Sequence, residues 1–167
     1  MGKLGERLAA VRAVIYLIFN EGYSATAGDS LVRRDLCAEA IRLARVLCEL
    51  SPGEPENLGL LALMLLQDSR REARTNANGE LVILEEQDRS RWDRSEIDEG
   101  VRLVETALAL GRVGNYQLQA SVAAVHSESK TAQEPGSRGH FLLLSAAPEF
   151  AASTRPGLRE SMTDDST

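Results

Sequence analysis

The chain has 167 residues, which at roughly 150 residues per domain suits one domain with a tail. Hydrophobic residues make up 43% and charged residues 26%, excluding collagen, wholesale disorder and a polytopic membrane protein. Aromatics are only 4%, so a core must rest on Leu, Val, Ile and Ala, while a net charge of −6 disfavours non-specific binding to phosphate backbones.

Leu4 to Phe19 reads as a first helix. Leu4, Leu8, Val11, Ile15 and Ile18 recur at helical spacing and should face inward. Gly22, within Asn20-Glu21-Gly22-Tyr23, suits the left-handed position that closes a helix. Lys3, Arg7 and Arg12 before the apolar run Ala13 to Phe19, with Ala25-Thr26-Ala27 behind it, also sketch a secretion signal. Glu6, Asn20, Glu21 and the amphipathic spacing argue against export, so a cytoplasmic location is expected.

Asp29 or Ser30 can cap a second helix, Leu31 to Leu50. Its stripe is Leu36, Ala40, Leu43, Leu47 and Leu50, with Arg33, Arg34, Arg42, Arg45 and Glu49 on the solvated side. Cys37 and Cys48 on this helix would stand about 16 Å apart. That is too far for a disulfide, so both read as small apolar residues. Ser51-Pro52-Gly53 stops the helix, and Pro55 opens a third, to about Glu72. Its run Leu58 to Leu66 is apolar on all sides and predicts the most buried helix; it is far shorter than the about 20 residues of a membrane span. The short link between the second and third helices predicts an antiparallel hairpin.

From Ala73 to Leu84 the pattern changes. Asn78-Gly79 signals a turn and Leu81-Val82-Ile83-Leu84 is β-prone, so a small β-hairpin or loop insertion is expected. Glu85 to Trp92 is charged and reads as a short helix or turn. Asp93 or Ser95 caps a fourth helix to Leu110, with Ile97, Val101, Val104 and Leu108 inward and Gly111 ending it. A fifth helix, Asn115 to about His126, places Leu118, Val122 and Val125 on one side and completes a second hairpin. Residues 129–167 hold three of the five prolines and much Ser and Thr, with only Phe141 to Leu144 able to dock. This tail should be largely disordered. The expected fold is therefore all-α, antiparallel helical hairpins over residues 1–128.

Phosphate loops, dinucleotide fingerprints, zinc motifs and nucleophile elbows are absent. With two histidines, His126 and His140, no catalytic residue, metal site or cofactor is expected. Asp88, Glu85, Glu86 and Asp93 alternate with Arg89, Arg91 and Arg94, as a salt-bridged solvated turn does; a buried carboxylate there would allow acid–base work. Arg70, Arg71 and Arg74 add to this cluster, which could hold an anion if the guanidiniums converge, and which otherwise pairs with Asp68, Glu72, Asp88 and Asp93. Trp92 reads as an anchor or a groove contact. Asn20, Glu21 and Tyr23 read as local hydrogen-bonding residues or a recognition surface.

AVRAVIYLIFNEGYSA, LVRRDLCAEAIRLARVLCEL, PENLGLLALMLLQDSRREAR, GELVILEEQDRSRWDRSEIDEG and NYQLQASVAAVH, in this order, resemble the helical, tetratricopeptide-like C-terminal extension of extracytoplasmic-function (ECF) RNA polymerase sigma factors. The resemblance covers Leu4 to about Glu128. It implies a non-enzymatic regulatory module that docks sigma domains, RNA polymerase or another regulatory protein, without direct DNA or membrane contact. Asn20, Glu21, Tyr23, Asp88, Arg89 and Trp92 are the candidate contact residues. The sigma domains themselves are missing before Met1, and the Ser/Pro-rich tail replaces further helices of that family, the pattern of a truncated or frameshifted product. Two other outcomes stay open: an enzymatic or anion-binding helical domain centred on Asp88, and a fragment with no independent role.

Overall fold

The computed structural model describes residues 2–24 and 30–128. Five α-helices follow one another: α1 Gly2–Ser24, α2 Ser30–Leu50, α3 Pro55–Asp68, α4 Arg94–Ala109 and α5 Asn115–Glu128. Three short 3-10 turns, Arg71–Ala73, Leu84–Glu86 and Arg89–Arg91, fill the crossing from α3 to α4. No strand forms among the described residues, and the fold is all-α. The Ala25-Thr26-Ala27 motif and the tail from residue 129 lie outside the described residues.

The position of α3 follows from its sequence. Every residue from Gly59 to Leu66 is buried, because a helix apolar on all sides loses least water-exposed hydrocarbon when flanked on both faces. Leu60, Leu61, Met64 and Leu65 pack with Ile15, Phe19, Cys37, Ala40, Ala44 and Leu47 of α1 and α2. Ala62, Leu63 and Leu66 pack with Trp92 and with Ile97, Val101, Val104, Ala120 and Ala124 of α4 and α5. Small residues set the spacing: a Cβ added at Gly100 would stand 2.7 Å from Leu66 Cγ.

Packing pairs α1 with α2 and α3 with α4, and α5 lies against α3. The short-linked pairs read in the sequence, α2 with α3 and α4 with α5, also touch, and α3 adds more extensive packing against α4 and α5 because its apolar faces are covered on both sides. Arg12 of α1 donates to Asn57 Oδ1 of α3 at 2.9 Å, and Asn57 Nδ2 reaches Leu47 O of α2 at 3.5 Å. This buried polar relay fixes three helices to one register.

Four sequence expectations are corrected. Gly22 does not close α1; the helix continues to Ser24, and Gly22 is not among the glycines of positive φ. Its last residues are held locally, where Tyr23 stacks on Phe19 one turn back, and by a tertiary contact in which the Tyr23 carbonyl accepts from Arg74. The inward face of α1 is Arg12, Ile15 and Phe19, with Leu4 and Val11 exposed. In α2 the buried stripe is Cys37, Ala40, Ile41, Ala44 and Leu47, while Leu36 and Leu43 are half-buried and Leu50 is exposed. In α5 the buried face is Gln117, Ala120, Ser121, Ala124 and Ser127 rather than Leu118, Val122 and Val125. Short side chains let α5 approach α3 more closely than valines would.

The insertion is a tight loop with one antiparallel bridge between Thr75 and Leu81. Asn76 Oδ1 accepts from the amides of Asn78 and Glu80, and Gly79 takes φ +80° at the turn, where a side chain would be strained. Leu81 and Ile83 remain exposed; two short segments with no covering face do not propagate a sheet. Asp93 caps α4 through Glu96 N at 3.1 Å, and Gly111 (φ +71°) follows its end. Both cysteines are free, and burial pushes each thiol up to about 11.

Candidate functional site

The end of α1 forms a stacked aromatic column. Phe19 is fully buried, and the Tyr23 ring stacks on it with centroids 5.3 Å apart. The Arg74 guanidinium lies 3.7 Å above the Tyr23 ring, and its Nη1 donates to Tyr23 O at 2.7 Å. A cation over a π face that also donates to the helix's terminal carbonyl holds this end rigid. Asn20 is half-buried beside it and Glu21 is exposed. Asn20-Glu21-Gly22-Tyr23 is therefore part of the last turn of α1.

Asp88, Arg89 and Trp92 sit together on the crossing between α3 and α4. Asp88 is exposed, and its Oδ1 accepts from Ser90 N at 3.0 Å and Ser90 Oγ at 2.7 Å. These bonds cap the Arg89–Arg91 turn and hold the carboxyl below its ordinary range. Arg89 lies 4.5 Å above the Trp92 ring and donates to His126 O at 2.8 Å, tying the crossing to the end of α5. Trp92 itself is only 3% exposed, packed among the α3 and α4 core residues. Its ring is an anchor, and the group presented outward above it is the Arg89 guanidinium. Segment 69–74 connects this cluster to the α1 end: Ser69 O accepts from Asp93 N at 2.8 Å, while Arg74 grips Tyr23.

The six guanidiniums divide. Arg71 pairs with Asp68 and Arg74 covers Tyr23. Arg70 and Arg94 lie close enough to Arg89 to lower its pKa, after the larger effect of burial. Burial, then Arg70 and Arg89, lowers His126 as well. Glu72 is paired with Arg34 of α2 at 2.8 Å.

A carboxylate cluster not singled out from the sequence lies where α3 ends and α4 begins. Burial, with Asp68 and Asp93 adding negative potential, raises Glu96 to about 7. Asp68 is raised too, chiefly by burial, against the pull of Arg71. The folded chain therefore holds a proton on Glu96 that the unfolded chain releases. Its contribution to stability is fully present below the ordinary glutamate range near 4.5 and is lost as pH rises through about 7. Glu96→Gln should raise stability at pH 8 by on the order of 1–2 kcal/mol, the linkage value reduced for partial exposure. Near pH 4.5 it should change almost nothing. Urea titrations of the two chains at both pH values check this, and an equal gain at both would refute it.

The other missed feature is a groove of about 460 Å³ between α1 and α2. Ala10, Val11, Val14 and Ile18 form one wall, and Leu43, Val46 and Leu50 the other. The signal was present, because both helices carry apolar residues on more than the one face that a two-sided amphipathic helix needs.

These features define an all-α protein of stacked helical hairpins, with an apolar groove on its first pair and a cation–aromatic cluster at one end. The chain belongs to DUF6596, a family of unknown function, whose model matches residues 7–108. It is similar to the uncharacterized protein R00370 of Rhizobium meliloti (strain 1021), with 52% identity over 129 residues. That alignment covers 77% of this chain and 30% of the relative, so the chain spans less than a third of that relative's length. No solved structure matches the chain. None of the described helices is long and apolar enough to cross a membrane.

Proposed function

We propose that the chain is a regulatory protein-interaction module of an ECF-type RNA polymerase sigma factor, acting in the cytoplasm by docking rather than by catalysis. The groove between α1 and α2 carries this reading. Val11, Val14 and Leu50 on its walls are 43%, 56% and 77% exposed, an apolar strip that a monomer gains nothing by showing to water. The order of the segments quoted above supports a sigma-factor setting, and the much longer relative is consistent with a module that works beside other domains. A sigma helix laid in the groove would be read by its apolar face. Arg89, Asp88, Asn20, Glu21 and Tyr23 would supply polar contacts at the end of the bundle, with Trp92 supporting Arg89. Docking in one arrangement and not another shifts the sigma factor between active and inactive populations.

The test is capture of separately expressed ECF sigma domains on the immobilised chain. Val14→Glu places a charge in the groove at an exposed position, so capture should weaken about tenfold or more while the melting temperature stays unchanged. Tyr23→Ala and Arg89→Ala probe the polar end in the same way. No capture by the native chain removes the reading; capture undiminished by Val14→Glu moves the docking face off the groove.

A further inference from the structure

A second pocket, about 360 Å³, opens midway along α1, bounded by Arg12 and Tyr16, by Glu56 of α3, and by Asn115, Tyr116 and Gln119 of α5. Arg12 is 9% exposed, yet its guanidinium makes one hydrogen bond among the described residues, to Asn57 Oδ1. A guanidinium has five N–H donors in a planar fork, and a charge this buried is ordinarily matched by an anion. No carboxylate of the described residues stands within ion-pair distance of Arg12. Glu56 lines the same pocket but is engaged elsewhere. It accepts from Tyr116 N, Gln117 N and Gln117 Nε2, each at 3.2 Å, and so caps the start of α5.

The tyrosines complete the cavity. Tyr16 and Tyr116 meet edge to face with centroids 5.6 Å apart, giving the pocket an aromatic wall. Burial raises the Tyr116 phenol, so it stays protonated and remains a donor. One unmatched guanidinium beside one engaged carboxylate suits an anion of single charge. A dianion such as phosphate would bring a second negative charge against Glu56 with no second cation to meet it.

We propose that this pocket binds a monocarboxylate, held by the Arg12 fork, with the body of the ligand against Tyr16 and Tyr116. The carboxylate can belong to a free small acid or to an acidic side chain of a peptide, and the two sources are separable. Calorimetric titration of the full chain with benzoate, N-acetylglutamate amide and inorganic phosphate is the experiment. Saturable binding with a Kd on the order of 1 mM or tighter is expected for at least one carboxylate, and weaker binding for phosphate. Tighter benzoate assigns the site to free acids, and tighter N-acetylglutamate amide assigns it to peptides. Arg12→Leu should weaken binding about tenfold or more. Because that change also strips Asn57 of its partner, Ala9→Phe serves as the second variant. Ala9 is an exposed residue on the pocket's rim, so a ring there blocks the cavity without touching the core. No saturable binding of either carboxylate, undiminished binding by Ala9→Phe, or phosphate binding as tightly as the carboxylates would each overturn the proposal.

Discussion

Gly59→Val should cost the fold about 3 kcal/mol, seen as a lower urea midpoint with an unchanged denaturant slope. Ordinary helix propensity points the other way, since replacing a mid-helix glycine gains up to about 1 kcal/mol when the site is open. Here it is closed. A Cβ at Gly59 would lie 2.8 Å from both Gln117 N and Gln117 Cγ, and 3.1 Å from Gln117 Cα. Two of those atoms are backbone and cannot rotate away. The whole of α5 would have to retreat from α3, uncovering Ala120 and Ala124, which are fully buried against it. Even Gly59→Ala should destabilise. Gly5→Ala is the matched control, because nothing lies within 4 Å of a Cβ there and the residue is exposed on α1. It should be neutral or stabilising by less than about 1 kcal/mol. Equal behaviour of the two alanine variants would show that α5 does not press on α3 as described.

Gly59 also marks how far the sequence can be read. Its place in an all-apolar run announces a buried helix, and α3 is one, because no orientation of such a helix leaves a polar face for water. Capping is equally local: Asp93 begins α4 and Gly111 follows it because each acts within a turn of its own position. Facing is harder. Val11 and Ile15 are chemically alike, and only the partner helix decides that Ile15 is buried while Val11 borders the groove. In α5 Leu118, Val122 and Val125 lie off the buried face, which Ala120 and Ala124 share with Gln117 and two serines whose side-chain donors bond within the chain. Gln117 Nε2 reaches Arg112 O at 2.8 Å, Ser121 Oγ reaches Gln117 O at 2.8 Å and Ser127 Oγ reaches Ala123 O at 2.9 Å. A serine able to do this is buried at little cost, while Gln117 pairs its Nε2 and leaves its Oε1 without a partner among the described residues; hydropathy alone reveals neither. The candidate contact residues were legible as unusual chemistry, and their arrangement was not. Nothing local in NEGY indicates that Arg74, fifty-one positions away, closes over Tyr23.

Trp92 and Arg89 separate stability from recognition, because they touch each other and yet face opposite ways. Trp92→Ala should cost about 3–5 kcal/mol, since it empties a site walled by α3 and α4 core residues that are themselves held by neighbours and cannot collapse inward. Trp92→Phe should lose less than about 1.5 kcal/mol. Most of the aromatic volume stays, and the lost indole N–H is a buried donor that finds no acceptor among the described residues. Arg89→Ala forfeits a cation–π contact and the bond to His126 O at a partly open site, together on the order of 1 kcal/mol. Circular dichroism melts suit all three variants, and fluorescence of this only tryptophan reports the crossing directly in the native chain and in Arg89→Ala. If Arg89 is the contact and Trp92 its support, Arg89→Ala loses sigma-domain capture at nearly native stability, and Trp92→Phe keeps both. A Trp92→Ala chain that melts like the native one would mean the ring is not buried as described, and the anchor would have to be sought elsewhere on the crossing.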